Sequence, residues 1–389
     1  MKNANTQPPE CAIKLVNPAE WEMVPFLEHP GHDSIWALTR GQDGHIYIGL
    51  AQEFVSGGIA HLYRYNVDKR RLEHCLDMSE VTGEPYDSGH ATQCKIHFAL
   101  CPDSKGRIFG ATHCTAPPLG HPAWNAVGAW GDPTLNFPGS HLFQYDTATG
   151  KAIDFGVLWP NQGAPYLLLN EELGRLYGVT FPKAHFFSTD LQGRDLRDYG
   201  RVSSWYPIGM CLDGRKNIWF SDSNGQLVQF DLKKDRLIFT RQYPYAHPWN
   251  RSRRYSWLSN MNMADDGMIY CTPYCNDHLS RFDPEAKRPR FEDLGPGVPG
   301  IKAKLLRCLV PDGKGHVYYS AAPDPAVMSP AHHVFMKYHI ASGEKEVIGR
   351  QVIHNVPATS WIGVTDNDGN IYIKGSGQPM HLAIYRPNK

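Results

Sequence analysis

Two histidines, His97 and His113, have the residue type and the spacing for chemistry in this chain of 389 residues. His97 lies in the strand-like stretch Ile96–Leu100, and His113 ends the next stretch, Arg107–His113. The Gly-containing turn at Asp103–Gly106 makes the two stretches an antiparallel pair, so the two imidazoles are expected side by side. Adjacent imidazoles can transfer protons or bind a metal ion. The alternative is a pair of structural histidines that form hydrogen bonds within the sheet.

The strands that carry this pair belong to a repeat. Seven times, a short turn, usually with Gly, precedes a β-branched and aromatic run, and a second alternating run follows. Such units are hairpins of a larger sheet, and a repeat of roughly 40 to 65 residues is typical of a four-stranded propeller blade. The turns are Asp43–Gly44, Lys105–Gly106, Leu173–Gly174, Lys216–Asn217, Asp266–Gly267, Lys314–Gly315 and Asp368–Gly369.

The sequence therefore predicts an all-β fold, a seven-bladed β-propeller that forms one domain over residues 1–389. The last repeat stops after its third strand. We expect Ala12–Val16 to pair with Leu382–Tyr385 and to close the ring, which protects an open sheet edge. Residues 1–10 are expected to form a disordered tail, and residues 114–140 a long loop insertion on the active face.

The composition limits which binding partners and which cellular compartment are expected for this protein. The formal net charge is zero, which gives no reason to expect nucleic acid or an anionic membrane as a partner. No apolar segment resembles a signal peptide or a membrane span, and the nine cysteines have no disulfide-framework spacing. We therefore expect a cytoplasmic protein with reduced thiols, while the oligomeric state is left open.

One face of the ring should collect the functional side chains, because the loops after the second and the outer strands share it. The loops placed there are rich in His, Tyr, Lys and Arg, which suits an anionic ligand. They include Glu28–Asp33, Gln93–His97, Thr112–Cys114, Ala164–Tyr166, Phe181–His185, Trp205–Tyr206, Arg251–Tyr255, Cys275–His278 and Lys302–Lys304.

The insertion after His113 adds Trp124 and Trp130 to this face. Long loops within a compact domain are usually functional, and indole faces can stack on sugar rings. The alternative is that these aromatic side chains only pack the insertion onto the ring. In five blades the third strand also begins with a histidine, and this repetition favours a structural role for these histidines. Of the five, His185 is the one expected to bind substrate.

Several motifs resemble the seven-bladed propeller polysaccharide lyases, of the ulvan lyase and rhamnosyl-glucuronate lyase type, and their glycoside hydrolase relatives. They are Lys95–His97, Asp103 with Arg107–His113, Pro165–Tyr166, and Leu176–Gly178 with Pro182. The resemblance implies β-elimination beside a uronic acid, carried out by two His, a Tyr and an Arg. By position, the His roles fall on His97 and His113 and the Tyr role on Tyr166, while Lys183 stands where the Arg is expected.

This chemistry explains the residue types. Proton removal beside a carboxylate requires a cation that neutralises that carboxylate, and Lys183, Arg254 or Lys304 could serve. His97 or His113 would then act as base, and Tyr166 would protonate the leaving oxygen or act as base itself. A glycosidase would usually use two carboxylates, and no inward-facing pair is evident from the sequence.

Cofactor expectations are limited to a divalent metal ion. Cys271, Cys275 and His278 have a spacing that zinc tolerates, with buried reduced cysteines as the alternative. The family resemblance makes calcium a further candidate, and no organic cofactor is expected. Two other functions stay open for a uronate-containing carbohydrate partner: a propeller glycoside hydrolase that acts on rhamnose-glucuronate linkages, and a non-catalytic glycan-binding propeller.

Overall fold

The computed structural model describes residues 20–122, 132–244, 257–274, 277–300, 303–323, 332–352, 362–375 and 379–387. Within these residues it contains 28 β-strands and one short α-helix, α1 (Met78–Thr82). The all-β prediction is therefore confirmed. No helix in the described part of the chain has the length and the hydropathy needed to cross a membrane.

The strands follow one another in sets of four antiparallel strands, here called blades one to seven, each numbered from its inner strand outwards. Blades two and three are joined into one sheet of eight strands by a parallel pairing of Phe98 with Tyr166. Blade one consists of β2 (Ser34–Arg40), β3 (Ile46–Ala51), β4 (His61–Asn66) and β5 (Arg71–Asp77); blade two of β6 (Lys95–Pro102), β7 (Arg107–His113), β8 (Gly139–Asp146) and β9 (Ala152–Pro160); and blade three of β10 (Gly163–Asn170), β11 (Arg175–Phe181), β12 (His185–Asp190) and β13 (Arg197–Arg201). Blade four consists of β14 (Met210–Leu212), β15 (Ile218–Ser221), β16 (Leu227–Asp231) and β17 (Arg236–Phe239); blade five of β18 (Leu258–Met263), β19 (Ile269–Pro273), β20 (His278–Phe282) and β21 (Glu292–Pro296); and blade six of β22 (Ala303–Pro311), β23 (His316–Pro323), β24 (His332–His339) and β25 (Lys345–Val352). Blade seven consists of β26 (Gly363–Thr365), β27 (Ile371–Lys374), β28 (His381–Tyr385) and β1 (Trp21–Pro25).

The blades form a ring, because the inner strands contact one another in the order β2, β6, β10, β14, β18, β22, β26 and back to β2. Each of the seven junctions between neighbouring blades buries its own apolar cluster in the described residues. The core of the described residues is thus distributed around the ring, and each junction adds its own buried apolar surface. The inner strands enclose a channel with a cavity of ≈170 Å³.

An aspartate fixes most of the turns between inner and second strands. In blade two, Oδ1 of Asp103 accepts the backbone N–H of Lys105 at 3.0 Å and that of Arg107 at 2.8 Å. Gly106 follows in the left-handed region with φ 79°. This Asx arrangement satisfies backbone donors in a tight turn. The same acceptor role belongs to Asp43, Asp213, Asp266, Asp312 and Asp366.

An N-terminal strand closes the ring, as expected, but it is a different segment from the predicted one. Strand β1, Trp21–Pro25, pairs with β28 from Trp21↔Tyr385 to Pro25↔His381, and β27 occupies the other edge of β28. The prediction that Ala12–Val16 fills this position was therefore wrong, since both edges of Leu382–Tyr385 are taken. The residues 12–16 themselves lie outside the described residues.

Candidate functional site

His97 and His113 lie side by side at one end of blade two, as the sequence predicted. Lys95 pairs with His113 across β6 and β7, and the two imidazole centroids are 5.7 Å apart at 81°. The register between the strands shifts between Ile96 and Leu100, so His97 lies in an irregular part of the inner strand. Bulges of this kind redirect side chains and are frequent beside active sites. Both imidazoles are buried.

The tautomer of neutral His97 is fixed by its main-chain partner. Nδ1 of His97 lies 3.0 Å from the carbonyl oxygen of Pro165, and a carbonyl can only accept, so Nδ1–H is the donor. The lone pair of the neutral ring is then on Nε2. Burial, followed by the charge of Lys95 and by His113, holds the pKa of His97 well below its usual value. Neutral His97 is thus an acceptor in the free protein.

Trp36 links this pair to a buried ion pair. Its indole stacks on His97 with centroids 4.7 Å apart at 15°. Its Nε1–H donates to Oε2 of Glu53 at 2.7 Å, while Oε1 of Glu53 lies 2.7 Å from Nζ of Lys95. The same ammonium group is 3.9 Å from the Trp36 ring centroid. Only 2% of Lys95 is exposed, so the ion pair and the cation–π contact are both shielded from water.

Lys374 and Arg307 bring two more cations to this place from blades seven and six. Nζ of Lys374 donates to the Ser34 hydroxyl at 2.8 Å and lies 5.7 Å from the Trp36 centroid. Burial lowers the pKa of Lys374 to about 8, Lys95 and Arg307 add to the decrease, and Glu53 opposes it. Lys95 and Arg307 thus both lie close enough to act on Lys374, and the three side chains are called the cation cluster below.

Two carboxylates accompany the cation cluster, which differs from the expectation of a site without an acidic pair. Asp33 accepts the backbone N–H groups of Glu53 at 2.9 Å and Phe54 at 3.1 Å. Burial raises the pKa of Asp33, and Glu53 adds to the increase. The sequence did not reveal this pair, because Asp33 precedes β2 and Glu53 follows β3. Among the described residues, these five groups comprise three cations and two carboxylates.

Tyr166 has a structural partner of its own. Its hydroxyl donates to the main-chain carbonyl of Met210 at 2.8 Å, and its ring lies 5.4 Å from that of Phe98. Burial raises its pKa. The phenol ring found near the histidine pair is that of Tyr206, 6.0 Å from the His97 ring centroid. Sequence reasoning placed Tyr206 on this face but did not select it.

Lys183 and His185 lie at the same end of blade three. Lys183 is exposed in the turn after β11, and its backbone N–H donates to Oε1 of Gln162 at 3.2 Å. His185 pairs through Nδ1 with Asp198 at 2.9 Å. His141 with Asp154 and His278 with Asp293 repeat the same contact between third and outer strands, so His185 follows the repeat.

The remaining predicted residues fall largely outside the described part of the chain. Arg254, Trp124, Trp130 and Cys275 lie outside it, and for Lys304 only its backbone position in β22 is described. Cys271 is buried in an apolar cluster, where its thiol donates to the Ser280 carbonyl at 3.5 Å. Cys271 and His278 therefore have separate partners.

An apolar and aromatic cluster lies beside His97, whose ring centroid is 4.3 Å from that of Phe98. Phe98, Ile208 and Trp257 form its buried centre, with Tyr166, Tyr206 and Tyr274 packed against them. The Arg307 guanidinium lies 5.7 Å from the Tyr274 centroid. Apolar and aromatic side chains with a few placed charged groups are the usual lining of small-molecule sites.

Comparisons with known proteins identify the fold. No protein-family model matches the chain. A search of curated proteins also finds no match. Among solved structures, virginiamycin B lyase from Staphylococcus aureus aligns over 94% of this chain and 98% of its own, with 10% identity and a TM-score of 0.62. A catalytically inactive histidine-to-alanine variant of that enzyme, solved with quinupristin, aligns with 9% identity over 94% and 98% of the two chains and a TM-score of 0.61.

Propellers of other kinds align equally well. YCF48 from Cyanidioschyzon merolae has 10% identity and a TM-score of 0.62 over 95% of this chain and 99% of its own. The RRP9 WD40 repeats have 7% identity and a TM-score of 0.62 over 96% and 99%. The chain thus has the fold of β-propellers, which these proteins use for different purposes.

Proposed function

We propose that this protein is a polysaccharide or oligosaccharide lyase that cleaves a glycosidic bond at a uronic acid by β-elimination. The observation that carries the proposal is the cation cluster beside the buried histidine pair. Cations gathered in a shielded site favour a carboxylate ligand, and a neutral imidazole beside them can accept a proton.

Lys374 and Arg307 are the groups proposed to neutralise the substrate carboxylate. Lys95 is already paired with Glu53 at 2.7 Å, whereas Nζ of Lys374 donates a hydrogen bond to the uncharged Ser34 hydroxyl. Arg307 offers a planar fork that matches a carboxylate. Neutralisation makes the proton on the carbon next to that carboxylate more acidic.

His97 is the proposed base. Its Nε2 lone pair accepts the proton, while Pro165 keeps the ring in one tautomer. A bound carboxylate would also raise the low pKa of His97, because the opposite charge stabilises the imidazolium. The electron pair of the broken C–H bond forms the new carbon–carbon double bond, and the glycosidic C–O bond breaks at the neighbouring carbon.

The leaving oxygen takes a proton from a tyrosine. The family resemblance puts the tyrosine of the site at Tyr166, which would protonate the leaving oxygen or act as base itself, and whose hydroxyl donates to the Met210 carbonyl. Tyr206 is the second candidate, since its ring approaches His97 and its pKa is raised by burial, which keeps the phenol protonated. Replacement of each tyrosine by Phe distinguishes the two.

Support from the comparisons is limited to the class of reaction. Virginiamycin B lyase shows that a propeller of this shape can carry lyase chemistry, and an inactive variant of it lacks a histidine. The substrate assignment depends on the cation cluster and on the motif resemblance.

Glu53 and Asp33 favour a second candidate, a glycoside hydrolase. Such enzymes pair a carboxylic acid of raised pKa with a carboxylate. The pKa of Asp33 is raised by burial, and Glu53 follows β3 on the same face. A screen of uronate-containing polysaccharides and oligosaccharides separates the two functions. A lyase produces ultraviolet absorbance from an unsaturated uronate together with new reducing ends; a hydrolase produces reducing ends without that absorbance.

A further inference from the structure

A second group of histidines lies in blade one, apart from the residues of the proposed mechanism. One nitrogen each of His29, His61 and His74 can be chosen such that all three lie within 4.8 Å of one another. His29 comes from the segment between β1 and β2, His61 opens the third strand, and His74 lies in the outer strand. Three parts of the chain thus converge on one point.

The rings are in direct contact. Nδ1 of His61 lies 3.0 Å from Nε2 of His74, and the His29 and His61 centroids are 3.9 Å apart. In blades two, three and five, the third-strand histidine instead contacts an Asp of the outer strand at 2.8–2.9 Å. In blade one, His74 stands at the register position of that Asp, opposite Tyr63, and its Nε2 makes the close contact with His61, while Asp77 lies 4.0 Å from His61.

Surrounding groups orient these imidazoles as outer partners orient metal ligands. Nδ1 of His29 contacts the hydroxyl of Tyr63, which itself donates to Oε2 of Glu28 at 3.3 Å. This contact leaves Nε2 of His29 for a ligand. A fourth ring, His32, packs 4.7 Å from His61 and is held by the Ile59 carbonyl at 2.8 Å. Hydrogen bonds of this type fix the ring and the tautomer of metal-bound histidines.

We propose that His29, His61 and His74 bind one divalent transition-metal ion of the zinc type. Three imidazole nitrogens are a common zinc ligand set and leave a fourth position for water or a carboxylate. Nitrogen ligands disfavour calcium and magnesium, which prefer oxygen. His61 is buried and His74 is exposed, so an ion can enter from solvent.

The ion would connect the segment that follows the closing strand with the outer strands of blade one. His29 follows the closing strand β1, whereas His61 and His74 belong to the outer half of blade one. Metal binding to the folded state alone stabilises it by mass action. The ion therefore supports the ring, and it does so independently of the glycan chemistry proposed above.

The test uses the full chain, treated with chelator and titrated with Zn²⁺ alone. We expect one ion per chain by calorimetry, a rise in Tm on Zn²⁺ addition, and a visible Co²⁺ spectrum typical of four-coordinate nitrogen and oxygen ligands. His74→Ala should weaken binding at least tenfold and abolish the rise in Tm; since His74 is exposed, the variant should fold. Tyr63→Phe keeps all three ligands and should weaken binding roughly 10-fold or more.

His45→Ala is the matched control, because His45 lies in the β2–β3 turn at the other end of the same blade. It should bind Zn²⁺ like the parent chain. The proposal is overturned if the parent chain binds no Zn²⁺, or if His74→Ala and His29→Ala bind it as tightly as the parent. Neither result bears on uronate cleavage, which is measured separately.

Discussion

The imidazole of His97 is held by the carbonyl oxygen of Pro165, which lies 3.0 Å from Nδ1 and belongs to the inner strand of the next blade. The contact joins blades two and three. It fixes the ring so that Nε2 carries the lone pair, beside Trp36 and the cation cluster. The base proposed for β-elimination is thus positioned by the main chain.

Replacement of His97 by Ala should remove the base. We expect kcat/KM for a uronate substrate to fall roughly 10²–10⁴-fold, the usual contribution of general acid–base catalysis. His316→Ala is the control, since His316 pairs with Asp312 at the turn between β22 and β23, on the opposite face. Near-equal turnover of His97→Ala and the parent chain would exclude His97 as base.

Replacement of Lys374 by Met should remove charge stabilisation at the substrate carboxylate. A fall of about 10²–10³-fold in kcat/KM is expected, comparable to the loss of one oxyanion donor. Lys183→Met should have a smaller effect, because Lys183 is exposed. Steady-state kinetics of both variants show which lysine neutralises the substrate carboxylate. A larger loss of kcat/KM for Lys183→Met would place the substrate carboxylate at the turn after β11.

The ion pairs of His141 predict how stability depends on pH. Burial alone would lower the pKa of His141, but hydrogen bonds to Asp154 and Glu84 raise it to about 9. Because folding raises this pKa, the stabilisation is full below the unfolded value near 6.5 and is lost as the pH rises through about 9.

His141→Asn should therefore lower the free energy of unfolding by on the order of 3 kcal/mol at pH 6 and by much less at pH 10. Urea unfolding at both pH values measures the difference. An equal destabilisation at both values would show that the charge of His141 contributes nothing.

Trp21 should be essential to ring closure. Its indole lies 4.9 Å from the ring of Phe335 and 5.1 Å from that of Tyr385, and it donates to the Ile348 carbonyl at 3.2 Å. Trp21→Ala should cost roughly 3 kcal/mol of unfolding free energy, within the range for loss of a large aromatic side chain.

Two truncations separate the two closing segments. Deletion through Pro25 removes β1 and should lower Tm strongly, whereas deletion through Val16 spares its pairing with β28. A loss after deletion through Val16 as large as that after deletion through Pro25 would contradict closure by Trp21–Pro25.

The sequence predicted the features that depend on local pattern. Turn residues such as Asp103 and Gly106 specify each hairpin, and the hairpin brings His97 beside His113. The closing strand was misplaced because the missing fourth strand of the last repeat does not specify which N-terminal segment supplies it. Trp21 owes its place to contacts with Phe335, which lies far away in sequence.

The proximity of residues from different blades could not be predicted from local sequence pattern. Lys95, Arg307 and Lys374 come from blades two, six and seven, and their proximity depends on the twist and register of every blade between them. Position on the shared face was the available signal for Glu53 and Tyr206, and it fits many other loop residues equally well.

The most direct test of the central claim is a uronate-glycan screen in which ultraviolet absorbance and reducing ends are recorded together for the parent chain, His97→Ala, Lys374→Met and His316→Ala. The account predicts that both signals rise in step for the parent chain and His316→Ala and are lost in the other two variants. Reducing ends without ultraviolet absorbance, or full activity of His97→Ala and Lys374→Met, would contradict it.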